Sequence, residues 1–379
     1  MIRLLAAAGL LLLSACATID RAPFTRIEQA TARIPGIPEA RFWADSPLAA
    51  RRMTPPLDPP GGTVTLALSS GGDDGAFAAG FLNGWSASGT RPEFTVVTGV
   101  STGALIAPFA FLGPEWDDHV RHVFTGLDTG DVLQMRFAPT IPFSTSVMSA
   151  KPLAALIRAQ ITDAVIDAVA AQHRRGRRLF VETSNLDAQR AVVWDMGAIA
   201  ASDAPGRYAL FRRVLLASGS LPGVFPPVAI DAVSGSRTIR ELHVDGGTVS
   251  QILTRPDDRT APAPHRPNRT LYIIASSKWG GDFRFVTPKT IPVLRNAYNL
   301  ALQSALAAEV RAAFYLARDR GTTVRFAYIG SDFGAKKHPM FANGYIRHIY
   351  GYGFQRGRLQ AWATDPPDAR DLRLTLPEG

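Results

Sequence analysis

Short apolar runs that alternate with glycine-rich turns begin at residue 63. Residues 63–68 are β-branched and apolar, as in a strand, and the small residues of 75–85 then favour a helix. The same order recurs, with a strand at 94–98, a glycine and a helix at 102–111. A strand, a glycine turn and a helix in repetition predict βαβ units around a parallel sheet.

The α/β pattern continues along the chain. Further β-branched runs predict strands, and long apolar stretches without breakers predict helices; the strands lie at 179–183, 191–194, 271–275 and 324–329, and the helices at 153–173 and 291–318. Residues 255–269 are rich in Pro, Asp and Arg, which favours a surface loop rather than a domain boundary. We therefore expect one α/β domain over residues 61–379.

The amino terminus carries a short apolar run. Residues 4–13 are all Leu, Ala or Gly and follow one Arg, and a membrane-spanning helix would need about 20 apolar residues. The run is therefore predicted to be a secretory signal. It ends in Leu-Ser-Ala-Cys, which resembles a bacterial lipoprotein signal; cleavage after residue 15 would leave Cys16 as a lipid-bearing first residue. An ordinary secretory signal is the alternative.

A lipid anchor on Cys16 predicts that the protein lies in the bacterial cell envelope. Ala17 follows Cys16 where an Asp would indicate retention at the inner membrane, so we expect the outer membrane. Residues 16–60 are polar and punctuated by prolines, which interrupt helices and central strands, and we interpret them as a tether. Docking of Phe42 and Trp43 on the domain is left open. Cys16 is the single cysteine of the chain, which excludes an intrachain disulfide and a cysteine-based zinc site.

Composition narrows the class of partner. The 379 residues are 46% hydrophobic and 19% charged, as in globular proteins. Forty-one Lys and Arg against 32 Asp and Glu give a net charge of +9, which favours phosphate-bearing partners. We interpret the excess of basic residues as an ordinary solvated surface, with a patch that meets anionic lipid head groups as the alternative. Nucleic acid is not expected, because the signal implies export and no nucleic-acid-binding module is recognisable. The densest basic run, residues 173–178, is interpreted as a solvated helix end or as a lipid contact.

A candidate nucleophile lies between the second strand and its helix. Residues 99–103 read Gly-Val-Ser-Thr-Gly, which fits the nucleophile-elbow pattern with Ser101 at its centre. The elbow needs a strand that enters a tight turn and then a helix, and both flanks predict this context. A serine at a helix amino terminus is also near the partial positive charge of the helix dipole. An incidental serine in a Gly-rich turn is the alternative.

Two further segments supply candidate partners for this serine. Residues 69–76 read Ser-Ser-Gly-Gly-Asp-Asp-Gly-Ala, and glycine geometry at a helix start can expose backbone amides to an oxyanion. None of the seven histidines is singled out as a base. Asp245 ends an apolar stretch and precedes two glycines, and burial could raise its pKa enough for a base. A structural Asp-Gly turn is the alternative.

Together, the glycine loop, the Gly-Val-Ser-Thr-Gly elbow and Asp-Gly-Gly, in this order, resemble the patatin-like phospholipase family. Residues 216–222, 225–227, 271–276 and 345–353 are also similar, so that the resemblance covers most of 63–357. It implies a three-layer α/β/α fold with a mainly parallel central sheet. It also implies a hydrolase that cleaves carboxylic esters of lipids through a Ser-Asp dyad and an acyl-enzyme, with no metal and no organic cofactor.

The resemblance implies roles for the residues of this sequence that match the family's motifs. Ser101 would be the nucleophile and Asp245 the base, and the amides of Gly71, Gly72 and Asp73 would form the oxyanion hole. The motif glycines would be Gly75, Gly99, Gly103, Gly246 and Gly247. The expected partners are a lipid or lysolipid ester and the membrane that holds the anchor; the sequence carries no signal of oligomeric state.

One position departs from the family pattern. Family members usually carry Arg or Lys just before the last glycine of the loop, and this chain has Asp74. Asp74 leaves open a catalytically weak or silent envelope protein that binds lipid. A Ser-Asp-His hydrolase that uses His338 or His348 is another alternative. Residues 135–148 are interpreted as a lid over a lipid cleft or as a packed loop.

Overall fold

The computed structural model of the protein describes residues 19–55, 62–137, 144–254, 269–280, 285–334 and 338–366. The strands are β1 (Arg41–Trp43), β2 (Thr63–Leu68), β3 (Val96–Val100), β4 (Gln134–Met135), β5 (Met148–Ser149), β6 (Arg178–Asn185), β7 (Arg190–Asp195), β8 (Val228–Ser234), β9 (Arg237–Asp245), β10 (Arg269–Lys278) and β11 (Thr322–Ile329). The helices are α1 (Arg26–Thr31), α2 (Ala49–Arg52), α3 (Gly75–Ala87), α4 (Thr102–Leu112), α5 (Asp117–Gly126), α6 (Thr129–Val132), α7 (Lys151–Gln160), α8 (Asp163–Arg174), α9 (Met196–Ala201), α10 (Arg207–Ser218), α11 (Thr290–Asp319) and α12 (Asn343–Arg358).

Nine strands form one sheet in the order β1-β7-β6-β3-β2-β10-β11, and β9 pairs with β6 and β8. The five strands from β6 to β11 in this order all run parallel, whereas β7, β1, β9 and β8 pair antiparallel. The predicted α/β class with a mainly parallel central sheet and three α/β/α layers is confirmed. In a parallel sheet the loops at the carboxyl ends of the strands meet at one edge.

Strand β6 brings β3 and β9 end to end. Its first half pairs with β3, up to the pair Val100 and Glu182, and its last three residues pair with β9, starting at Thr183 and Asp245. Because β7 occupies the other edge of β6, β3 and β9 share one edge and point towards each other. The residues that end these two strands therefore meet at the middle of the sheet.

Apolar side chains alternate between the two faces of the sheet. Leu66 and Leu68 of β2 pack in the larger core with α3, α4 and α12, whereas Ala67 packs on the opposite face with α11. This alternation is the period of two of a strand that is covered on both sides.

Residues 19–55 differ from the expected tether. Phe42, Ala49 and Met53 are buried against β3, β6 and β7, and β1 pairs antiparallel with β7. Arg41 also forms an ion pair with the buried Glu241 of β9. The prolines of this segment lie between short elements, so they do not prevent its apolar residues from covering the sheet.

Other elements depart from the predicted bounds. The helix predicted at 153–173 is two helices, because Thr162 interrupts it and caps α8 by accepting from the Val165 amide at 3.4 Å. The hairpin of β8 and β9 and the helices α10 and α12 were not predicted. The signal at 1–15, Cys16, the loop at 255–268 and the tip of the possible lid at 138–143 lie outside the described residues.

Helices α3 and α12 pack backbone to backbone. A Cβ added at Gly84 would lie 2.0 Å from the Phe354 carbonyl oxygen, and one added at Gly353 would lie 2.3 Å from the Phe77 carbonyl oxygen. Glycines spaced four residues apart on both helices, Gly80 and Gly84 against Gly353 and Gly357, permit this approach. Within the described ranges, no helix is long and apolar enough to cross a membrane.

Candidate active site

Ser101 lies on a sharp turn between β3 and α4. Its φ of 55° and ψ of −123° are rare for an L-residue, and this strained geometry is typical of a nucleophile elbow. The Ser101 carbonyl starts α4 by accepting from the Ala104 amide at 2.9 Å. The turn therefore places the Ser101 hydroxyl at the amino terminus of α4.

The two glycines of the elbow are required by close packing. A Cβ at Gly99 would lie 2.6 Å from the Gly103 carbonyl oxygen, and a Cβ at Gly103 would lie 2.5 Å from the Leu68 carbonyl oxygen. Side chains at either position would separate β3 from α4 or α4 from β2. The glycines that the sequence pattern singled out therefore hold the turn against the sheet.

The Ser101 hydroxyl donates a hydrogen bond to Asp245 Oδ2 at 2.6 Å. Both residues are buried, with exposed fractions of 7% for Ser101 and 3% for Asp245. Burial raises the pKa of the Asp245 carboxyl to about 7, against the hydrogen bonds from Ser101 and from the Gly247 amide, which lower it. The carboxylate is therefore a stronger base than an exposed Asp.

The turn after Asp245 fixes its carboxylate. The Gly247 amide donates to Asp245 Oδ1 at 2.7 Å, which leaves Oδ2 for Ser101. Gly246 lies so close to β6 that a Cβ would be 2.6 Å from the Glu182 carbonyl oxygen. The Asp-Gly-Gly motif thus orients the carboxylate and lets its backbone pass against β6.

The glycine loop lies beside the elbow. Gly72 has a φ of +56°, which favours glycine, and begins a 3-10 turn over Gly72–Asp74. The first amides of such a turn have no partner within it, so those of Gly72 and Asp73 are candidate oxyanion donors. Thr102 Oγ1 donates to the Gly72 carbonyl at 2.7 Å and so joins the loop to the elbow. A Cβ at Gly71 would lie 2.4 Å from Ser276 Cβ, and one at Gly75 would lie 2.1 Å from Thr102 Cγ2.

The acidic residues of this loop contact the chain around the start of α12. Tyr345 donates its phenolic hydrogen to Asp74 Oδ1. The Phe341 amide donates to Asp73 Oδ2 at 3.2 Å, and the ring of His338 stacks on Tyr345 at a centroid distance of 3.4 Å. Asp74, the residue that departs from the family pattern, therefore holds the loop to α12.

Sequence reasoning missed a second serine that supports the elbow. The Ser101 amide donates to Ser218 Oγ at 3.0 Å, and Ser218 Oγ donates to the Glu182 carbonyl at 2.7 Å. Ser218 ends α10 and is fully buried. It lies in the 216–222 stretch that resembles the family, but that resemblance assigned it no role.

A polar network that sequence reasoning also missed joins the Asp245 turn to α11. Gln251 Nε2 donates to the Gly247 carbonyl at 2.5 Å, and its amide oxygen accepts from the Ser70 hydroxyl. The amides of Gln251 and Ile252 donate to Glu309 Oε2, each at 2.9 Å. The signal for Glu309 was that it is the first acidic residue in a long apolar helix.

Two buried carboxyls lie close to the dyad. Burial raises the pKa of Glu309 to about 7, against the two amides that donate to it. Burial raises the pKa of Glu182 well above its usual value, and the charges of Glu309 and Asp245 add to this effect. Burial is therefore the largest cause of the raised pKa of all three carboxyls, Glu182, Asp245 and Glu309.

The candidate histidines make other contacts. His338 Nδ1 lies 3.7 Å from Asp73 Oδ2, and the ring of His348 packs on Phe333 at a centroid distance of 4.9 Å. The structure therefore places Ser101 beside a carboxylate and not beside His338 or His348. In the part of the chain that is described, no group of three or more His, Cys, Asp or Glu residues could hold a metal ion.

The basic run at 173–178 is largely engaged in packing. Arg177 is buried, donates to the Phe94 carbonyl at 2.8 Å and lies over the ring of Phe111 at 4.5 Å. Arg178 begins β6, and the active site lies at the other end of the parallel strands. Arg177 and Arg178 are therefore engaged in packing, whereas Arg174 and Arg175 are exposed around the end of α8, as the solvated helix end predicts.

The chain matches a family model and is similar to solved structures. The fold is similar to the crystal structure of VipD from Legionella pneumophila, with a TM-score of 0.42, 12% sequence identity, and coverage of 91% of this chain and 71% of that chain. Comparison with curated proteins gives no match. A family model described as patatin-like phospholipase matches residues 66–257, which is just over half of the chain and contains the glycine loop, Ser101 and Asp245. The chain therefore belongs to the patatin-like phospholipase family.

Proposed function

We propose that the protein is a serine hydrolase that cleaves carboxylic esters of lipids through an acyl-enzyme on Ser101. The observation that carries the proposal is the 2.6 Å hydrogen bond from the Ser101 hydroxyl to the buried Asp245 carboxylate at a strained elbow. Membership in the patatin-like phospholipase family supports lipid esters as the substrates.

In the first half of the reaction, Asp245 accepts the hydroxyl proton while Ser101 Oγ attacks the ester carbonyl carbon. The carbonyl oxygen becomes an oxyanion, which the Gly72 and Asp73 amides and the amino terminus of α4 are placed to stabilise. Collapse of the tetrahedral intermediate breaks the ester carbon–oxygen bond. The leaving alkoxide takes the proton from Asp245, and the acyl group stays on Ser101.

In the second half, water replaces the departed alcohol. Asp245 accepts a proton from this water as its oxygen attacks the acyl carbon, and the second tetrahedral intermediate then expels Ser101 Oγ. The proton on Asp245 returns to Ser101 Oγ, and the fatty acid leaves. A pKa of about 7 suits both roles, since the carboxyl exchanges protons readily near neutral pH.

Hydrolysis of nitrophenyl esters of increasing acyl length by the full chain tests the proposal. We expect turnover that is lost in Ser101→Ala, an optimum at long acyl chains, and covalent labelling of Ser101 by a fluorophosphonate. Ser220→Ala is the matched control, because Ser220 Oγ donates to the Leu216 carbonyl and not to the dyad. A folded protein that binds lipid but neither turns over nor labels would instead fit a silent lipid-binding protein.

We also propose that Cys16 carries a lipid anchor after removal of residues 1–15, and that the anchor places the hydrolase domain in the bacterial cell envelope at the outer membrane. Support comes from the Leu-Ser-Ala-Cys sequence and from Ala17 after it. Metabolic labelling with radioactive palmitate in a bacterial host should mark the protein, and Cys16→Ser should remove the label and the outer-membrane fractionation. Absence of label on the wild-type chain would contradict the anchor.

A further inference from the structure

Helix α11 is longer than the sheet that it covers. Its 30 residues span about 45 Å, whereas the eight residues of β11, its neighbour in the chain, span about 26 Å. Only residues of the second half are buried, at the helical spacing of Leu306, Val310, Ala313 and Ala317. The first half therefore extends beyond the sheet.

The direction of this extension is set by the connections of the helix. α11 ends at Asp319, next to the start of β11 at the amino edge, so that its first half points past the carboxyl edge. Glu309 marks the level of that edge, since its carboxylate accepts from the amides of Gln251 and Ile252. Residues 290–304, which precede the first buried residue Leu306, thus project on the side of Ser101 and Asp245.

The outward face of the projecting half is apolar. Val293, Ala297 and Leu300 follow one another on the face opposite the core, and all are exposed. Further along the same face come Arg311, Tyr315 and Arg318, also exposed. Outward positions of a helix on a water-facing surface are normally polar, so the change from charged to apolar marks a different environment for the projecting half.

Large apolar side chains extend this surface around the helix. The exposed fractions are 88% for Phe285, 72% for Ile291, 60% for Leu294 and 65% for Leu300. We call Phe285 and residues 290–304 the projecting surface. Isolated exposed apolar residues are ordinary, but exposed apolar residues concentrated on one half of a helix indicate an interaction site.

The charges of the projecting surface are cationic. Between residues 285 and 308 the charged residues are Lys289 and Arg295. An apolar surface with cationic residues on it suits the interface of an anionic bilayer, where apolar side chains enter the acyl boundary and Lys and Arg meet the phosphates.

The projecting surface is also continuous with the active site. The Tyr298 hydroxyl on this half of α11 is buried and has no hydrogen-bond partner among the described residues. Burial raises its pKa, the neighbouring Thr248 lowers it, and the charge of Asp245 adds to the increase. Thr248 ends the 3-10 turn that follows Asp245. A bilayer in contact with the projecting surface would therefore lie next to the dyad.

We propose that the projecting surface docks onto an anionic lipid bilayer and holds the Ser101 site at the lipid interface. The inference rests on the proposed function to explain why the protein docks on lipid. The docking itself requires no catalysis. A second copy of the chain is a poorer occupant, because symmetric docking would bring Lys289 and Arg295 towards the same cations in a chain of net charge +9.

Co-sedimentation with vesicles tests the proposal. All proteins are the full chain with Cys16→Ser and Ser101→Ala, so that neither an acyl anchor nor lipid hydrolysis contributes. Vesicles consist of phosphatidylcholine alone or of phosphatidylcholine with phosphatidylglycerol. We expect tighter binding to the anionic vesicles, and binding at least about tenfold weaker for Leu294→Asp/Leu300→Asp, which loses two apolar contacts.

A matched control and a soluble substrate complete the test. Ile27 and Leu359 are 77% and 71% exposed outside α11, so Ile27→Asp/Leu359→Asp should bind as the parent protein does. With Ser101 restored, Leu294→Asp/Leu300→Asp should hydrolyse a short water-soluble ester at the parent rate and vesicle lipid more slowly. This pair of assays separates docking from catalysis.

Three results would overturn docking. The first is unchanged vesicle binding by Leu294→Asp/Leu300→Asp, and the second is an equal loss of vesicle binding in the control variant. The third is a smaller mass of the Leu294→Asp/Leu300→Asp protein in solution without lipid, which would identify a self-interface. Vesicle binding without any ester turnover by the Ser101 protein would instead overturn the proposed function and leave docking intact.

Discussion

The backbone amide of Ser101 donates a 3.0 Å hydrogen bond to the hydroxyl of Ser218. The Glu182 carbonyl accepts from the same hydroxyl at 2.7 Å, so the strained elbow is tied to β6, the strand whose Thr183 pairs with Asp245 of β9. Ser218 is thus a positioning residue for the proposed nucleophile, and it touches neither the ester nor the oxyanion in the proposed reaction.

Ser218→Ala should lower kcat about tenfold and leave KM nearly unchanged, because it loosens the elbow without altering the substrate cleft. It should also lower the free energy of unfolding by about 1–3 kcal/mol, since a buried amide and a carbonyl lose their partner. Ester hydrolysis and urea unfolding measure both effects. Ser220→Ala, two residues away, should leave kcat unchanged; an equal loss there would mean that the helix end and not the hydroxyl matters.

Asp245→Asn should lower kcat by at least about 100-fold, because the amide cannot accept the Ser101 proton. Asp74→Asn should preserve or raise activity, since Asn can still accept from Tyr345 while the negative charge near the oxyanion loop is removed. Kinetics on one ester at one pH compare the two variants. The reverse ranking would identify Asp74 as the base.

The rate should rise with pH through about 7 and then level off, because burial sets the pKa of Asp245 near this value and only the ionised carboxylate accepts a proton. A profile of kcat/KM against pH with a water-soluble ester gives the value for the free enzyme. A plateau that already begins near pH 4 would show that Asp245 titrates as an exposed carboxyl.

Stability should change in the opposite direction. The Asp245 pKa is about 7 in the folded protein against 3.8 as its ordinary value, so its contribution to stability is present below pH 4 and is lost as pH rises through 7. A shift of this size corresponds to about 4 kcal/mol. Asp245→Asn should therefore unfold at a higher temperature than wild type at pH 8 and show a smaller difference at pH 4. The same difference in unfolding temperature between Asp245→Asn and wild type at every pH would contradict this coupling.

Local sequence signals singled out the residues that meet at the centre of the candidate site. The elbow glycines, Ser101 and Asp245 were identified because their types and spacing are required by backbone geometry within a few residues. Ser218 and Glu309 were not, because each acts through a contact more than 50 residues away along the chain. The register of β6 that joins β3 to β9 is likewise a property of the whole sheet.

The same distinction holds for the fold. The five parallel strands were predicted because each contains a continuous β-branched and apolar run. They are β2, β3, β6, β10 and β11. The segment around Phe42 was predicted as a tether from its prolines, and its docking was left open, because its burial depends on an uncovered face of β3, β6 and β7. Helix α12 was not predicted because its glycines have low helix propensity. The helix is stabilised by packing against α3 instead.

Gly353→Ala should destabilise the fold by about 1–3 kcal/mol, since the new Cβ would meet the Phe77 carbonyl oxygen of α3. Gly351→Ala is the matched control on the same helix, where a Cβ meets nothing within 4 Å; it should be neutral or stabilise by up to about 1 kcal/mol through helix propensity. Thermal unfolding of both variants checks the difference. Equal effects would mean that α3 and α12 are not in backbone contact.

Ser101 and Asp245 are 144 residues apart in the chain, and only the pairing of β3 and β9 along β6 brings them together. An unfolded or partly made chain thus contains the serine without its base, and its hydroxyl is as unreactive as that of any other serine. Contacts of such sequence separation form slowly, after local helices and turns. If the proposed reaction holds, attack on lipid is delayed until the sheet is complete, and a chain that is still unfolded does not attack the membranes that it meets.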